Sequence, residues 1–93
     1  VRSFARSWTA DLKDSGIRVN VVSPGPVLTP AIDSINVDGA SADQFKSNML
    51  QLIPLGRWGE PDEVAKAVSF LASDDSSFVA GAELFVDGGM AQV

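Results

Sequence analysis

Apolar side chains at Val1, Phe4, Ala5, Trp8 and Leu12 recur at i, i+3, i+4, i+7 and i+11. That spacing predicts one stripe of an amphipathic helix, with Arg2, Arg6, Asp11, Lys13 and Asp14 mostly off it. Gly16 suits a helix stop, and no N-cap precedes Val1, so the helix is expected to lack its beginning. From Ile17 the period changes. Ile17 to Val22 is rich in β-branched residues, with Ile17, Val19 and Val21 on one face and Arg18, Asn20 and Val22 on the other, which predicts a strand. Ser23-Pro24-Gly25-Pro26 ends it, because the prolines remove backbone donors and fix φ.

Val27 to Ala40 reads as a loop. Ser41 and Gln44 then fit a capping box, as N-cap and third helical residue, and open a helix. It carries Phe45, Met49, Leu52 and Ile53 on one side and closes at Pro54; the stripe suits either a core or a pocket wall. Pro61 suits the first turn of the next helix, where Asp62 and Glu63 set negative charge at the positive end of the dipole. Val64, Ala67, Val68 and Leu71 are its expected buried stripe. Ser73 to Ser77 predicts a polar turn or short helix, and Glu83 to Val86 a short strand ending at Asp87-Gly88-Gly89.

The order helix, strand, loop with a helix, helix, strand predicts an α/β fold with two parallel strands, a right-handed crossover and about three main helices. Ligands of such sheets bind beyond the carboxyl ends of the strands, where Ser23 to Thr29 and Asp87-Gly88-Gly89 leave.

Composition narrows the chemistry. The 93 residues contain no Cys, His or Tyr, and 7 Lys+Arg against 12 Asp+Glu give a formal net charge of −5. Without Cys there is no disulfide or zinc-thiolate site; without His there is no Ser-His-Asp triad. The scattered basic residues form no track for a phosphate backbone, so nucleic acid is not an expected partner. No apolar run approaches the roughly 18 residues that span a membrane, and Val1 to Arg6 lack the apolar core of a signal peptide. A soluble, cytoplasmic protein is expected.

Five stretches, in order, resemble the C-terminal part of the short-chain dehydrogenase/reductase family. They are Ile17-Arg18-Val19-Asn20, Ser23-Pro24-Gly25-Pro26-Val27 with Thr29, Leu55-Gly56-Arg57 with Gly59-Glu60-Pro61, Phe70-Leu71-Ala72-Ser73, and Gly81 through Gly89. The resemblance implies the C-terminal portion of a doubly wound, Rossmann-like parallel sheet: residues 1–93 as part of one NAD(P)-binding domain, with 30–56 as a substrate lid. It implies hydride transfer between NAD or NADP and a small carbonyl or alcohol. Cofactor-side residues matching the family are Pro24, Gly25, Pro26, Val27 and Thr29; Val27 would bind the nicotinamide carboxamide through its backbone, and Thr29 would bond the cofactor's amide or phosphate. Gly25 is expected to allow close approach of the planar ring. Ile32, Ile35, Phe45, Met49 and Ile53 would face substrate.

The family's glycine-rich phosphate loop, its Ser and its Tyr-x-x-x-Lys pair have no counterpart in this chain. The first helix matches the continuation of the one bearing that Tyr and Lys. Lys13, Lys46 and Lys66 do not match the Lys, and Ser23 matches a structural position. No catalytic and no metal-binding residue is therefore assigned, and the isolated chain is expected to be inactive. At 93 residues it is roughly a third of a larger domain on typical Rossmann-domain sizes. The resemblance also implies a homo-oligomer, a tetramer in the complete protein, built through the first helix, the helix from Asp62 and the last strand. A non-enzymatic oligomerisation module is the alternative.

The remaining candidates have structural explanations. Asp74-Asp75 fit a solvated capping turn better than a metal or acid–base pair. Asp62-Glu63 compensate the dipole. Arg57, beside Trp58, is expected to pair with Glu60 or Asp62 in preference to an anionic ligand. Asp87-Gly88-Gly89 is expected to form a turn.

Overall fold

The computed structural model describes residues 1–30 and 42–92. Helix α1 (Arg2–Asp11) leads to strand β1 (Val21–Pro24); helices α2 (Ala42–Leu50) and α3 (Pro61–Ala72) follow, then strand β2 (Glu83–Val86). Short 3₁₀ turns lie at Asp74–Ser76 and Met90–Gln92. The strands run parallel, Val21, Val22, Ser23 and Pro24 lying opposite Glu83, Leu84, Phe85 and Val86. Helix α3 packs on both strands. This is the expected α/β order.

The first strand is displaced from its predicted span of 17–22. β-Branched residues favour extended chain, but a strand needs a ladder partner, and β2 pairs only from Val21 onward. Residues 18–20 are held another way. The Val19 carbonyl accepts from Gly81 N–H at 2.8 Å. Asn20 acts as a surrogate ladder rung, its Nδ2 donating to the Val79 carbonyl and its Oδ1 accepting from Ala82 N–H, both at 3.0 Å. The Arg18 guanidinium reaches the carbonyls of Leu71, Ser73 and Val79 and the Ser76 hydroxyl at 3.1–3.2 Å. It thereby satisfies carbonyls at the end of α3 that the helix cannot, with positive charge at the negative end of the dipole.

Helix α1 stops at Asp11, before Gly16. The Ser15 N–H and hydroxyl both donate to the Leu12 carbonyl, at 3.0 and 2.6 Å, and Gly16 leaves this turn at φ +74°. Of its apolar stripe only Ala5 is buried; Phe4 and Trp8 are exposed and stack on each other, ring centroids 5.6 Å apart. Helix α2 ends at Leu50, short of the predicted Pro54, and the Ser41 N-cap expectation lies outside the described residues. Leu52 and Ile53 occupy the following turn, with N–H groups on the Met49 and Leu50 carbonyls. Leaving the helical period separates them: Leu52 is exposed and Ile53 is buried.

Helix α3 starts with Pro61 in its first turn, as expected. Val64, Ala67 and Leu71 are half-buried, but Val68, expected in the same stripe, is 49 % exposed. Ser73 caps the following 3₁₀ turn by accepting from Asp75 N–H at 3.3 Å, so Asp74 and Asp75 sit in a capping turn. Among the described residues, Ala5 and Ile53 are the buried apolar residues, while Leu55, Phe70, Phe78 and Phe85 are exposed.

Candidate functional site at the carboxyl edge of the sheet

Both strands end at one edge, and the chain leaving β1 is tied down there. Gly25 N–H donates to the Val86 carbonyl at 3.0 Å. Two residues on, Val27 forms a parallel bridge with Gly59: Gly59 N–H donates to the Pro26 carbonyl at 3.0 Å and Leu28 N–H to the Gly59 carbonyl at 2.9 Å. In such a bridge the bonds use the neighbours of the central residue, whose own groups point to the opposite side. Val27 N–H and C=O are accordingly turned away from Gly59, and no described residue bonds either of them.

The turn after β2 closes the other side. Asp87 accepts from Gly89 N–H at 2.9 Å and from Ala91 N–H at 3.0 Å, so both carboxylate oxygens shape its own turn, as expected for Asp87-Gly88-Gly89. Gly88, at φ +65°, accepts at its carbonyl from Leu55 N–H at 3.0 Å and rests on Ile53.

A third segment, Arg57 to Glu63, joins these two. Arg57 forms a two-pronged pair with Glu63 at 2.7 and 2.9 Å and also donates to the Trp58 carbonyl at 3.2 Å. The expected partners Glu60 and Asp62 are not used: Glu63, the third helical residue, points back over the helix start, where it also accepts from Glu60 N–H at 3.0 Å. Asp62 faces Lys66, one helical turn on, at 3.8 Å. The guanidinium hydrogen bond, followed by the Glu60 N–H, holds the Glu63 carboxyl down at about 2. The same hydrogen bond raises Arg57. Trp58 donates from Nε1 to the Lys46 carbonyl of α2 at 3.2 Å, and its ring lies 6.3 Å from that of Phe45.

Between this segment and the end of β2 opens a cleft of about 430 Å³, lined by Leu55, Arg57, Glu63, Val64, Phe85 and Asp87 among others. That volume is within the range of small-ligand sites. None of the expected cofactor or substrate residues lines it, although Asp87, Gly88 and Gly89, the second loop at the expected edge, do. The expected cofactor residues adjoin it through Gly59, which bridges Val27, and Asp87, which touches Gly25.

Of the expected cofactor residues, Gly25, Pro26 and Val27 are half-buried, and Pro24 and Thr29 are exposed. Phe45 and Met49 are half-buried on α2, Ile53 is buried beneath Gly88, and Ile32 and Ile35 lie outside the described residues. The structure thus brings Phe45 toward the Val27 loop through Trp58 and Gly59, and carries Ile53 to the other turn. Sequence reading places Asp87-Gly88-Gly89 at this edge but does not identify Trp58 and Gly59 as organising residues, although both lie in or beside a stretch it singles out. Among the described residues no group of three or more His, Cys, Asp or Glu could hold a metal, and no helix is long and apolar enough to cross a membrane.

Residues 1–91 match a family profile described as enoyl-(acyl carrier protein) reductase. An oxidoreductase of Sarocladium schorii is 43% identical over 93 residues, covering 100% of this chain and 35% of the relative. A 3-oxoacyl-[acyl-carrier-protein] reductase of Thermotoga maritima is 39% identical over 90 residues, covering 97% and 34%. A cyclohexanol dehydrogenase of Acinetobacter sp. strain SE19 is 41% identical over 88 residues, covering 95% and 32%. The chain spans about a third of the length of the curated relatives it matches.

Proposed function

Since the chain belongs to the short-chain dehydrogenase/reductase family, we propose that residues 1–93 form the C-terminal third of one NAD(P)-binding Rossmann-like domain, with 30–56 as its substrate lid. The complete protein would be a cytoplasmic oxidoreductase acting on a small carbonyl or alcohol. One observation carries this reading. Val27 presents an N–H and a C=O bonded by no described residue, on a loop anchored at Val86 and Gly59, at the edge where parallel sheets bind ligands. A primary carboxamide needs one acceptor and one donor side by side, and Val27 supplies that pair.

The residues present therefore fit a nicotinamide. When bound, that group supplies the hydride donor or acceptor. Val27 would hold its carboxamide, the exposed Thr29 hydroxyl would bond its amide or a phosphate, and Pro24, Gly25 and Pro26 would keep the loop rigid. Phe45 and Met49 would offer apolar surface to the substrate. The chain contains no Tyr for proton transfer, and of the described carboxylates beside the site Asp87 and Glu63 are committed to their own turns. We accordingly propose that the isolated chain is inactive. Titrating it with nicotinamide mononucleotide under amide NMR tests the assignment. Shifts centred on Val27 to Thr29 are expected; shifts confined to the cleft at Leu55, Val64 and Phe85 would overturn it.

A second reading is an association module, a homo-oligomer through the faces of α1, α3 and β2. It is favoured by the exposed Phe70, Phe78 and Phe85 and by the edge of β2 left unpaired by the described residues. Sedimentation showing a monomer at every concentration would remove it.

A further inference from the structure

We propose that Trp58 is a positioning residue that latches helix α2 to the cofactor-side loop and so sets how tightly substrate is held; this rests on the function proposed above. Trp58 is immobilised first through its backbone. Its carbonyl accepts from Arg57, whose guanidinium is held by Glu63 in the first turn of α3. The next residue, Gly59, has both its N–H and its C=O engaged with the Val27 loop. The backbone of Trp58 is therefore fixed on both sides to the body of the fold.

Its side chain leaves in the other direction. The indole Nε1–H bonds the carbonyl of Lys46, in the middle of α2, and its ring meets Phe45 at 6.3 Å and 54°. A mid-helix carbonyl already accepts within the helix, so the indole takes its second lone pair and leaves the helix intact. Helix α3 packs on both β1 and β2, and among the described residues α2 makes no comparably extensive contact with another element. After α2, Ile53 is buried against Gly88. Helix α2 is thus pinned beyond its end at Ile53 and held along its length by Trp58. Removing the indole takes away one of these two ties and loosens the helix bearing Phe45 and Met49 relative to Val27.

The test uses the complete enzyme carrying this segment, with Trp58→Ala and Trp58→Phe variants. Each is assayed with ethyl acetoacetate and reduced nicotinamide cofactor, alongside cofactor affinity and amide hydrogen exchange. Trp58→Ala is expected to raise KM about tenfold, keep kcat within about threefold and cofactor affinity within about twofold, and speed exchange in 45–50 alone. Trp58→Phe, which keeps the ring contact and loses the N–H donor, should lie between. Unchanged KM, or faster exchange in α3 and β2 as well, would overturn the latch. If the parent enzyme does not turn over, it is the function that fails, and exchange alone decides: loosening confined to 45–50 supports the latch, and none overturns it.

Discussion

Gly25 and Asp87 meet backbone to backbone across the end of the sheet. A β-carbon on Gly25 would lie 2.5 Å from Asp87 Cβ and 2.7 Å from its Cα. The smallness of Gly25, expected from the sequence to admit a planar ring, is therefore used by the protein itself. It lets the turn after β2 close on the turn after β1, at the edge that carries Val27.

Gly25→Ala should destabilise the fold by about 1–3 kcal/mol, the usual cost of forcing a methyl group into occupied space. The neighbour is backbone and cannot rotate away. Urea titration measures the loss, and an unchanged midpoint would mean that the two turns separate freely.

Arg18→Ala should be costly for a different reason. It strips one charged donor group from three carbonyls and the Ser76 hydroxyl at once. Hydrogen bonds from charged groups contribute about 1.5–3 kcal/mol, and a loss of about 2–3 kcal/mol is expected. Arg18→Lys, with one point of attachment in place of a fork, should recover only part of it in the same titration.

These two residues also show where sequence reading stops. Helix α3 and strand β2 were legible because their signals are local: Pro61, Asp62 and Glu63 at one start, Gly81 and Asp87-Gly88-Gly89 around the other. The span of β1 was not, because a strand's extent is decided by its partner, and Arg18 and Asn20 make side-chain hydrogen bonds in place of a ladder. The loop Pro24 to Thr29 stands out through its family pattern. Its anchors, Gly59 and Asp87, are distant in sequence and carry no local signal of their contacts. Arg57 was correctly expected to be paired, but its partner is set by which first-turn side chain folds back, and that is Glu63.

Low pH should loosen the start of α3. Glu63 is held down at about 2 from an ordinary 4.5, so the folded state favours its charged form. The stabilisation is complete above 4.5 and disappears as pH falls from there through about 2. Protection of the Glu60 and Glu63 amides, each rate taken relative to its intrinsic value at that pH, should fall across that window in the parent and be flat in Glu63→Gln. Equal pH dependence in both would place the effect elsewhere.

Ile53→Ala should remove about 2–5 kcal/mol, the range for truncating a buried aliphatic side chain. The disturbance should reach the Asp87-Gly88-Gly89 turn, because Ile53 Cγ2 would lie 2.6 Å from a β-carbon on Gly88. Amide chemical shifts of Gly88 and Gly89 report it; shifts confined to α2 would show that the two turns are independent.

On the function proposed above, this chain is the cofactor-side third of a dehydrogenase, and a graft puts that to the test: the corresponding third of the Thermotoga maritima reductase is replaced by these 93 residues, and oxidation of reduced cofactor is followed with a 3-oxoacyl substrate. Turnover by the graft is expected, as is its loss when Val27 is replaced by Pro, which removes the N–H offered to the carboxamide. A folded graft that binds cofactor yet gives no turnover, or one indifferent to Val27→Pro, would overturn the proposal.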